Sequence, residues 1–186
     1  MRDYNGDGKS DLLWRSGEVA TSVWHMDTNA ILSSGGFGGL SSVWQYGGTG
    51  DFNGDGNDDI LWRDLSSGAT AVWLLEPDGM TLLEDGSVGT VALSWEVAAI
   101  DDFNGDGKGD IFWGQGESAT SIWMLDGFTT IESGGLGPVE DNWALAGSGD
   151  VDGDGRADLI WRDQTSGATV VWILDGAEVR RRGRRF

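Results

Sequence analysis

The sequence predicts an all-β protein that is built from four copies of one structural unit. A nine-residue acidic loop with the pattern Asp-x-(Asn/Asp)-Gly-Asp-Gly-x-x-Asp occurs four times, and 48, 51 and 48 residues separate the first aspartates of successive loops. Short segments rich in β-branched and aromatic residues lie between the loops, as is typical of strands. The chain has 32 glycines and two prolines among 186 residues, which suits a turn-rich protein. A period of this length is typical of repeat arrays, so we expect one continuous array rather than two separate cores.

The acidic loops, numbered 1 to 4, span residues 3–11, 51–59, 102–110 and 150–158. Calcium takes six to eight oxygen ligands at roughly 2.3–2.6 Å, so a binding loop must turn several oxygens toward one point. Side chains at positions 1, 3, 5 and 9 supply most of them, and the residue at position 7 binds through its backbone carbonyl. Glycine at position 6 allows the tight turn. The predicted calcium ligands are Asp3, Asn5, Asp7, Lys9 and Asp11 in loop 1; Asp51, Asn53, Asp55, Asn57 and Asp59 in loop 2; Asp102, Asn104, Asp106, Lys108 and Asp110 in loop 3; and Asp150, Asp152, Asp154, Arg156 and Asp158 in loop 4.

Other interpretations of these loops are less satisfactory. Asp, Asn and Gly also favour turns that bind no metal, but several unpaired carboxylates in one loop repel one another unless a cation neutralises them. An EF-hand requires a bidentate Glu at position 12, where this chain has Trp14, Trp62, Trp113 and Trp161. The chain has no cysteine and lacks the Gly-Gly-x-Gly-x-Asp repeat of a calcium β-roll. The sequence therefore predicts about four calcium ions, one for each loop.

Each loop is followed by two short apolar segments with a Gly-containing turn between them, which predicts a β-hairpin. A weaker third segment follows, and a fourth leads into the next loop. Four strands in about 48 residues form the blade of a β-propeller, so we expect a propeller-type array of four-stranded antiparallel blades. In the second repeat the four segments are 60–63, 71–73, 81–83 and 95–98.

All eleven tryptophans occupy equivalent positions in the repeats, which favours packing as their role. Four follow the loops, four lie on the second hairpin strand, and three lie seven residues before a loop. Burying one Trp removes about 150–250 Å² from water, so such rings stabilise the contact between blades. The alternative is that the rings stack on sugars in a groove between blades.

These residues resemble the FG-GAP or VCBS-type repeat, the integrin-α-like calcium-binding β-propeller blade. The resemblance rests on residues 50–63 and their copies, and it covers essentially the whole chain. It implies that each loop joins the innermost strand of a blade to the second strand and binds calcium through positions 1, 3, 5 and 9. It also implies a scaffold for adhesion or ligand binding. Repeats of this kind also occur beside catalytic domains.

Both ends of the array depart from this pattern. The first repeat lacks the Trp-containing strand that precedes the other loops, and the residues after Trp172 are too few to supply it. We therefore expect an incomplete first blade. The array would then be an arc, a truncated product or a subunit that a neighbour completes, and a closed four-bladed ring is the alternative. We assign residues 1–177 to a single propeller-like domain and residues 178–186 to a basic tail. The tail holds five of the twelve basic residues, and we favour a disordered end or a segment foreign to the repeat over a docking segment for an acidic partner.

Composition and charge narrow the classes of function. The net charge of −19 argues against nucleic acid as a partner. No apolar run is long enough to span a membrane, and no signal peptide precedes the first loop. Calcium loops of modest affinity are useful where calcium is abundant, so we expect an extracellular or cell-surface protein.

The sequence favours a scaffold over an enzyme. The loop carboxylates are assigned to calcium, and the only histidine, His25, occupies a position held by Leu74, Met124 and Ile173 in the other repeats. We therefore expect a non-catalytic adhesion or lectin-like module that binds a glycan or a protein. One alternative is an assembly module whose incomplete propeller is completed by another chain, such as a second copy in a homo-oligomer. Another is the accessory domain of a larger secreted enzyme.

Overall fold

The computed structural model describes residues 2–116 and 118–183, and the regular elements in those residues are β-strands. Many of these strands are rich in β-branched and aromatic residues, which suit a pleated, half-buried surface. The strands are β1 (Leu12–Ser16), β2 (Ala20–Asp27), β3 (Ala30–Gly38), β4 (Trp44–Gly50), β5 (Asp59–Asp64), β6 (Ala69–Leu75), β7 (Leu82–Thr90), β8 (Glu96–Asp101), β9 (Asp110–Gln115), β10 (Ala119–Asp126), β11 (Thr129–Gly137), β12 (Trp143–Gly149), β13 (Asp158–Asp163), β14 (Thr169–Asp175) and β15 (Glu178–Arg182).

Consecutive strands pair in antiparallel fashion and form four separate sheets. Sheet 1 contains β1 to β3, sheet 2 contains β4 to β7, sheet 3 contains β8 to β11, and sheet 4 contains β12 to β15. The chain divides into two compact units, residues 1–93 with sheets 1 and 2, and residues 94–186 with sheets 3 and 4. The prediction of blade-type antiparallel sheets is confirmed. Sheet 1 has three strands, which is the predicted incomplete first blade.

Loops 2, 3 and 4 each join the first strand of a sheet to its second strand, as the resemblance implies. Strand β5 therefore has a partner on both sides, β4 and β6, and its residues 59–63 are buried. Strand β1 pairs only with β2 among the described residues. As a result, the side chain of Trp14 is 49% exposed, whereas its counterpart Trp62 is 1% exposed.

The third strand of the first three sheets is longer than the sequence predicts. Strands β3, β7 and β11 each have nine residues and continue through Ser- and Gly-rich segments. Glycine is depleted in strands, so residue preferences end these strands too early. Their pairing with the preceding strand, from Thr21↔Gly38 to Asp27↔Ala30 in sheet 1, overrides that preference.

Residues 178–182 of the basic tail form an ordered strand. Strand β15 pairs with β14 from Asp175↔Glu178 to Trp172↔Arg182 and completes sheet 4. The expectation of a disordered end is therefore wrong for these residues. Backbone N–H and C=O groups of β14 pair with this segment, and such pairing does not depend on the charge of its side chains. Residues 184–186 of the tail lie outside the described residues.

Each unit has a core of its own. In the first unit Tyr4, Ile60, Trp62 and Leu75 are fully or almost fully buried and share one apolar cluster. In the second unit one apolar cluster includes Phe103, Phe112, Ile122, Met124, Leu159, Trp161, Trp172 and Leu174. None of the described residues forms a helix that is long and apolar enough to cross a membrane.

Most of the tryptophans pack within these cores, as the sequence predicts. Trp62, Trp113, Trp161 and Trp172 are buried, and six others are half-buried. Within a sheet the two hairpin tryptophans contact each other; Trp62 and Trp73, for example, lie edge to face with ring centroids 5.2 Å apart. Such pairs stabilise a fold by about 0.5–1.5 kcal/mol beyond the area they bury.

Candidate metal-binding loops

The aspartate at position 1 organises the backbone of each loop. In loop 2, Oδ1 of Asp51 accepts hydrogen bonds from the backbone N–H groups of Gly54 and Asp55 at 2.7 and 3.1 Å. Its Oδ2 accepts a third from Gly56 at 2.7 Å. Asp102 and Asp150 accept the same three bonds in loops 3 and 4. Each of these loops therefore curls around its first carboxylate.

Positions 3 and 5 continue this arrangement. In loop 2, Oδ1 of Asn53 accepts from the N–H of Asp55 at 2.9 Å, and Oδ1 of Asp55 accepts from the N–H of Asn57 at 2.8 Å. The equivalent bonds are present in loops 1, 3 and 4. Each of these oxygens is thus fixed by the backbone N–H group two residues further along the chain.

Two glycines allow this curvature, at positions 4 and 6, whereas the sequence predicts this role for position 6 alone. In loop 2, Gly54 at position 4 has φ of 79° and Gly56 at position 6 has φ of 89°. Side chains with a Cβ rarely adopt this left-handed region. Both positions are glycine in all four loops and have positive φ throughout. The Gly-x-Gly pair is therefore a backbone requirement of the loop.

The aspartate at position 9 is buried and links the loop to a distant strand. Oδ2 of Asp59 accepts from the N–H of Phe52 in the same loop at 3.0 Å, and Oδ1 accepts from the N–H of Leu75 at the end of β6 at 2.8 Å. Asp11, Asp110 and Asp158 make the same two bonds. From the sequence, this residue is predicted to be a calcium ligand alone. The bond to the strand is not visible in the sequence, because its N–H group belongs to a residue 15 or 16 positions further along the chain.

Burial has a large electrostatic effect on this position. It raises the pKa of Asp59 to about 7, although the two backbone hydrogen bonds act in the opposite direction. The pKa of Asp110 is raised to about 7 for the same reason. A cation close to these carboxyl groups would lower their pKa values, because it stabilises the ionised form.

Loop 4 brings three carboxylates together. Asp150, Asp152 and Asp158 each have a carboxylate oxygen, and these oxygens all lie within 4.8 Å of one another. Oxygens that surround one calcium at roughly 2.3–2.6 Å are separated by at most about 5 Å, so the donor set fits the ion. Loops 1, 2 and 3 have Asn at position 3 and offer an amide oxygen there. A carboxylate oxygen has two lone pairs, so the bonds to backbone N–H groups leave acceptor sites for a cation.

In loops 3 and 4 the cationic side chain at position 7 forms an ion pair with an aspartate outside the loop. Nζ of Lys108 lies 2.5 Å from a carboxylate oxygen of Asp126, and Nη1 of Arg156 lies 2.7 Å from one of Asp175. Both aspartates are the last residues of a second hairpin strand, β10 or β14. The backbone role of position 7 stays a prediction.

The two loops of each unit are hydrogen-bonded to each other. The N–H of Asp58 in loop 2 donates to the carbonyl of Asp3 in loop 1 at 2.9 Å, and Oδ2 of Asp58 accepts from the N–H of Asp3 at 2.7 Å. In the second unit, the N–H of Ala157 donates to the carbonyl of Asp102 at 2.7 Å, and Nε of Arg156 donates to the carbonyl of Asn104 at 3.1 Å. Sequence periodicity does not reveal these contacts, because they join residues more than 50 positions apart.

The one histidine, His25, is buried between neighbouring strands of sheet 1. His25 lies in β2 and is 4% exposed, and its Nδ1 is 3.0 Å from Oγ of Ser33 in β3. This agrees with the interpretation of His25 as a strand-packing residue.

Comparison with known families gives one result that covers most of the chain. The family profile described as FG-GAP-like repeat matches residues 3–62 and 102–161. Each match begins at the first aspartate of one loop and ends at the tryptophan three residues after the next loop, Trp62 or Trp161. No curated protein matches the chain significantly.

Proposed function

Because the chain belongs to the FG-GAP-like repeat family, we propose that it is a non-catalytic, calcium-binding, integrin-like β-propeller-type module that binds a glycan or a protein outside the cell. Repeats of this family are typically non-catalytic and commonly extracellular.

The observation that carries the calcium proposal is the convergence of oxygens in loop 4. The carboxylates of Asp150, Asp152 and Asp158 meet at a spacing that suits one ion. The other three loops have the same Gly-x-Gly backbone and the same hydrogen bonds at positions 3 and 5. We therefore assign one calcium ion to each loop.

Calcium would supply charge neutralisation and a rigid cross-link within each loop. Position 9 extends its effect, because Asp59 and its equivalents hold the loop against the second hairpin strand. A site with free calcium at 100 times its Kd adds about 2.7 kcal/mol to the free energy of unfolding. Four such sites would strongly favour the folded array over the unfolded chain.

A calcium titration tests this proposal. We expect calorimetry to count about four ions, and we expect a large rise in Tm between EDTA and excess calcium. The variant Asp152→Ala should lose one ion, whereas Asp85→Ala, which removes a carboxylate on β7 outside the loops, should lose none. An unchanged Tm and an absence of binding heat would refute the calcium assignment.

The ligand needs a separate measurement. We expect a glycan array or a pull-down from extracellular material to give binding in calcium that EDTA abolishes. A complete absence of ligand in calcium would count against the scaffold proposal, even if all four loops bind the ion.

A second candidate function is assembly through the open edge of β1. This strand has one paired neighbour in the described chain, whereas β5, β9 and β13 have two. Leu12 and Trp14 on β1 are 38% and 49% exposed. Exposed strand edges pair with strands of other chains, so a second copy would complete sheet 1. Light scattering tests this idea, and a strictly monomeric mass over a wide concentration range would refute it.

A further inference from the structure

In sheets 1 and 2, the tryptophan that follows the acidic loop is itself followed by an arginine. This arginine donates hydrogen bonds to the segment that comes after the third strand of its sheet. In sheet 2, Nη2 of Arg63 donates to the carbonyls of Val91 and Ala92 at 3.1 and 2.9 Å. In sheet 1, Nη2 of Arg15 donates to the carbonyls of Leu40 and Ser41 at 2.8 and 2.6 Å. The same guanidinium position is thus used twice, on equivalent backbone carbonyls.

Sheet 3 lacks this side chain. Gly114 occupies the position, since it pairs with Thr120 as Arg63 pairs with Thr70. A Cβ placed on Gly114 would meet only Cβ of Ala98, at an ordinary 3.8 Å, and the residue does not have positive φ. Neither backbone strain nor crowding therefore demands glycine here.

A cleft of about 400 Å³ lies at this position within the second unit. We call it the Gly114 cleft. Its lining includes Gly114, Thr120 and the segment Val139 to Asp141, which is equivalent to the segments that Arg15 and Arg63 support. Its volume lies in the range of small-ligand pockets, roughly 300–1,000 Å³. The cleft therefore opens where the other two sheets hold a guanidinium group.

The lining of the Gly114 cleft is acidic and aromatic. Glu96 on β8 is the direct partner of Gly114, whereas the equivalent partner of Arg63 is the uncharged Gln45. Glu140 and Asp141 add two further carboxylates, and no Lys or Arg is among the described residues that line the cleft. The side chains of Phe112, Trp143 and Trp161 supply an apolar wall. Sheet 3, which has glycine where the other three sheets have arginine, therefore carries additional carboxylates around that position.

We propose that the Gly114 cleft binds a guanidinium group on an alkyl stem, brought by a small molecule or by an arginine side chain of a partner protein. The planar fork would donate to the carbonyls of Val139 and Glu140, as the Arg63 fork does to their equivalents. The rim carboxylates favour the charge, and aromatic rings accommodate both a guanidinium face and an alkyl stem. The proposal does not depend on calcium, because strands and the 138–141 segment build the cleft.

Calorimetry with matched small molecules tests the charge and shape that the cleft selects. The probes are butylguanidinium, butylammonium and the uncharged, nearly isosteric butylurea. We expect butylguanidinium to bind at least about tenfold more tightly than butylurea, because charge-assisted hydrogen bonds are roughly twice as strong as neutral ones. It should also bind more tightly than butylammonium, which lacks the planar fork. Equal affinity for butylurea, or no binding of butylguanidinium, would overturn the proposal.

Variants locate the binding. Gly114→Arg supplies the missing side chain from within and should abolish binding of butylguanidinium while Tm is kept or raised. Glu96→Gln should weaken binding by about twofold to fivefold, the effect of one exposed charge. Glu178→Gln removes the same charge from β15 outside the cleft and should leave the affinity unchanged. Binding that survives Gly114→Arg in a folded protein would overturn the proposal. If Gly114→Arg fails to fold, an unchanged affinity in Glu96→Gln would overturn it.

A further arm separates the two sources of the guanidinium group. Nα-acetyl-arginine amide carries the peptide groups that flank an arginine side chain in a protein, and butylguanidinium does not. Tighter binding of the arginine derivative, with the same loss in Gly114→Arg, would identify an arginine of a partner protein. Equal or tighter binding of butylguanidinium would identify a small cation. Failure of both compounds to bind would refute the site.

Discussion

At the scale of single residues, the aspartate at position 9 is buried and its carboxylate is hydrogen-bonded to the backbone on both oxygens. Asp59 is fully buried, and both of its oxygens accept backbone N–H groups, one from its own loop and one from β6. This residue therefore has a structural role that does not require a metal ion. The exposed Asp55 at position 5 bonds only within the loop.

We expect Asp59→Asn and Asp55→Asn to differ in how they depend on calcium. In EDTA, Asp59→Asn should lower the free energy of unfolding by about 1–3 kcal/mol, because its amide cannot accept both backbone bonds and leaves one donor unsatisfied. Asp55→Asn should be nearly neutral in EDTA and should destabilise the protein only in calcium. Urea unfolding followed by tryptophan fluorescence measures both. Equal losses for the two variants in EDTA would contradict the structural role of Asp59.

Two other aspartates act on the turns between the hairpin strands. Oδ1 of Asp64 accepts from the N–H groups of Ser66 and Ser67, at 2.6 and 3.1 Å, and from Oγ of Ser66. These bonds, chiefly those from Ser66, lower the pKa of Asp64 to about 2. The backbone N–H groups of Ser166 and Thr165 lower the pKa of Asp163 to about 2 in the same way.

These lowered pKa values predict loss of stability in acid. The ionised carboxyl groups favour the folded state, so their contribution is present above the unfolded pKa of about 3.9 and is lost as the pH falls toward about 2. Over this range we expect the urea midpoint of the protein to fall more steeply than that of the double variant Asp64→Asn, Asp163→Asn. Parallel pH profiles for the two proteins would show that the turn carboxylates make no such contribution.

At the scale of elements, neighbouring sheets within a unit approach closely at glycines of the third strand. A Cβ placed on Gly134 in β11 would lie 2.6 Å from the carbonyl oxygen of Ala177, which precedes β15. A Cβ on Gly35 in β3 would lie 2.5 Å from Cβ of Met80 in the first unit. The same position of the third strand therefore provides close packing in both units. Neither glycine has positive φ, so space rather than backbone conformation requires it.

This close packing predicts a contrast between adjacent glycines. Gly134→Ala should destabilise the protein by about 1–3 kcal/mol, the usual cost of overpacking a tight contact. Gly135→Ala should be neutral or slightly stabilising, since its Cβ would meet nothing closer than a 3.8 Å contact with the carbonyl oxygen of Thr120. Thermal unfolding of the two variants measures the difference. Similar Tm values would contradict the packing described for sheets 3 and 4.

At the scale of the whole molecule, the four repeats divide into two units of two sheets each. The second unit contains two complete four-stranded sheets, a core cluster of its own and the paired loops 3 and 4. Its hydrogen bonds between Arg156, Ala157 and loop 3 all lie within residues 94–186. This unit therefore has the internal contacts that an independent fold requires.

We expect the fragment 94–186 to fold by itself in calcium. It should unfold cooperatively, show near-ultraviolet circular dichroism from its ordered tryptophans, and bind two calcium ions. The fragment 58–150 has the same length but separates strands of sheets 2 and 4 from their partners, so it should remain largely unfolded. Equal behaviour of the two fragments would show that the division of the chain into units has no energetic meaning.

Repetition made much of this fold accessible from sequence. Each repeat has its strands and its loop at the same positions. A strand or turn that is only weakly indicated in one repeat is therefore indicated again in the others. The incomplete first sheet followed from the absence of a copy of Trp44 before loop 1. The Ser- and Gly-rich ends of β3, β7 and β11 were missed, because backbone pairing holds them and residue preference does not.

The candidate sites show the same division. The types and spacing of the loop oxygens were visible in sequence, because one local segment supplies all of them. The second bond of Asp59, the contact between Asp58 and Asp3 and the Gly114 cleft were not visible, because each joins segments that are distant in the chain. One signal was present: the Trp-Gly of residues 113 and 114 interrupts a Trp-Arg pattern kept in the other three repeats.

The sequence by itself determined the all-β class, the four loops and the repeated strand pattern, since these depend on local chemistry and periodicity. Tertiary structure decided which strands lack a neighbour, how the tail joins sheet 4, how loops pair within a unit, and where the loss of one arginine leaves a cleft. Those features depend on contacts between repeats. Such contacts are set by packing and backbone hydrogen bonding in three dimensions, which no single repeat encodes.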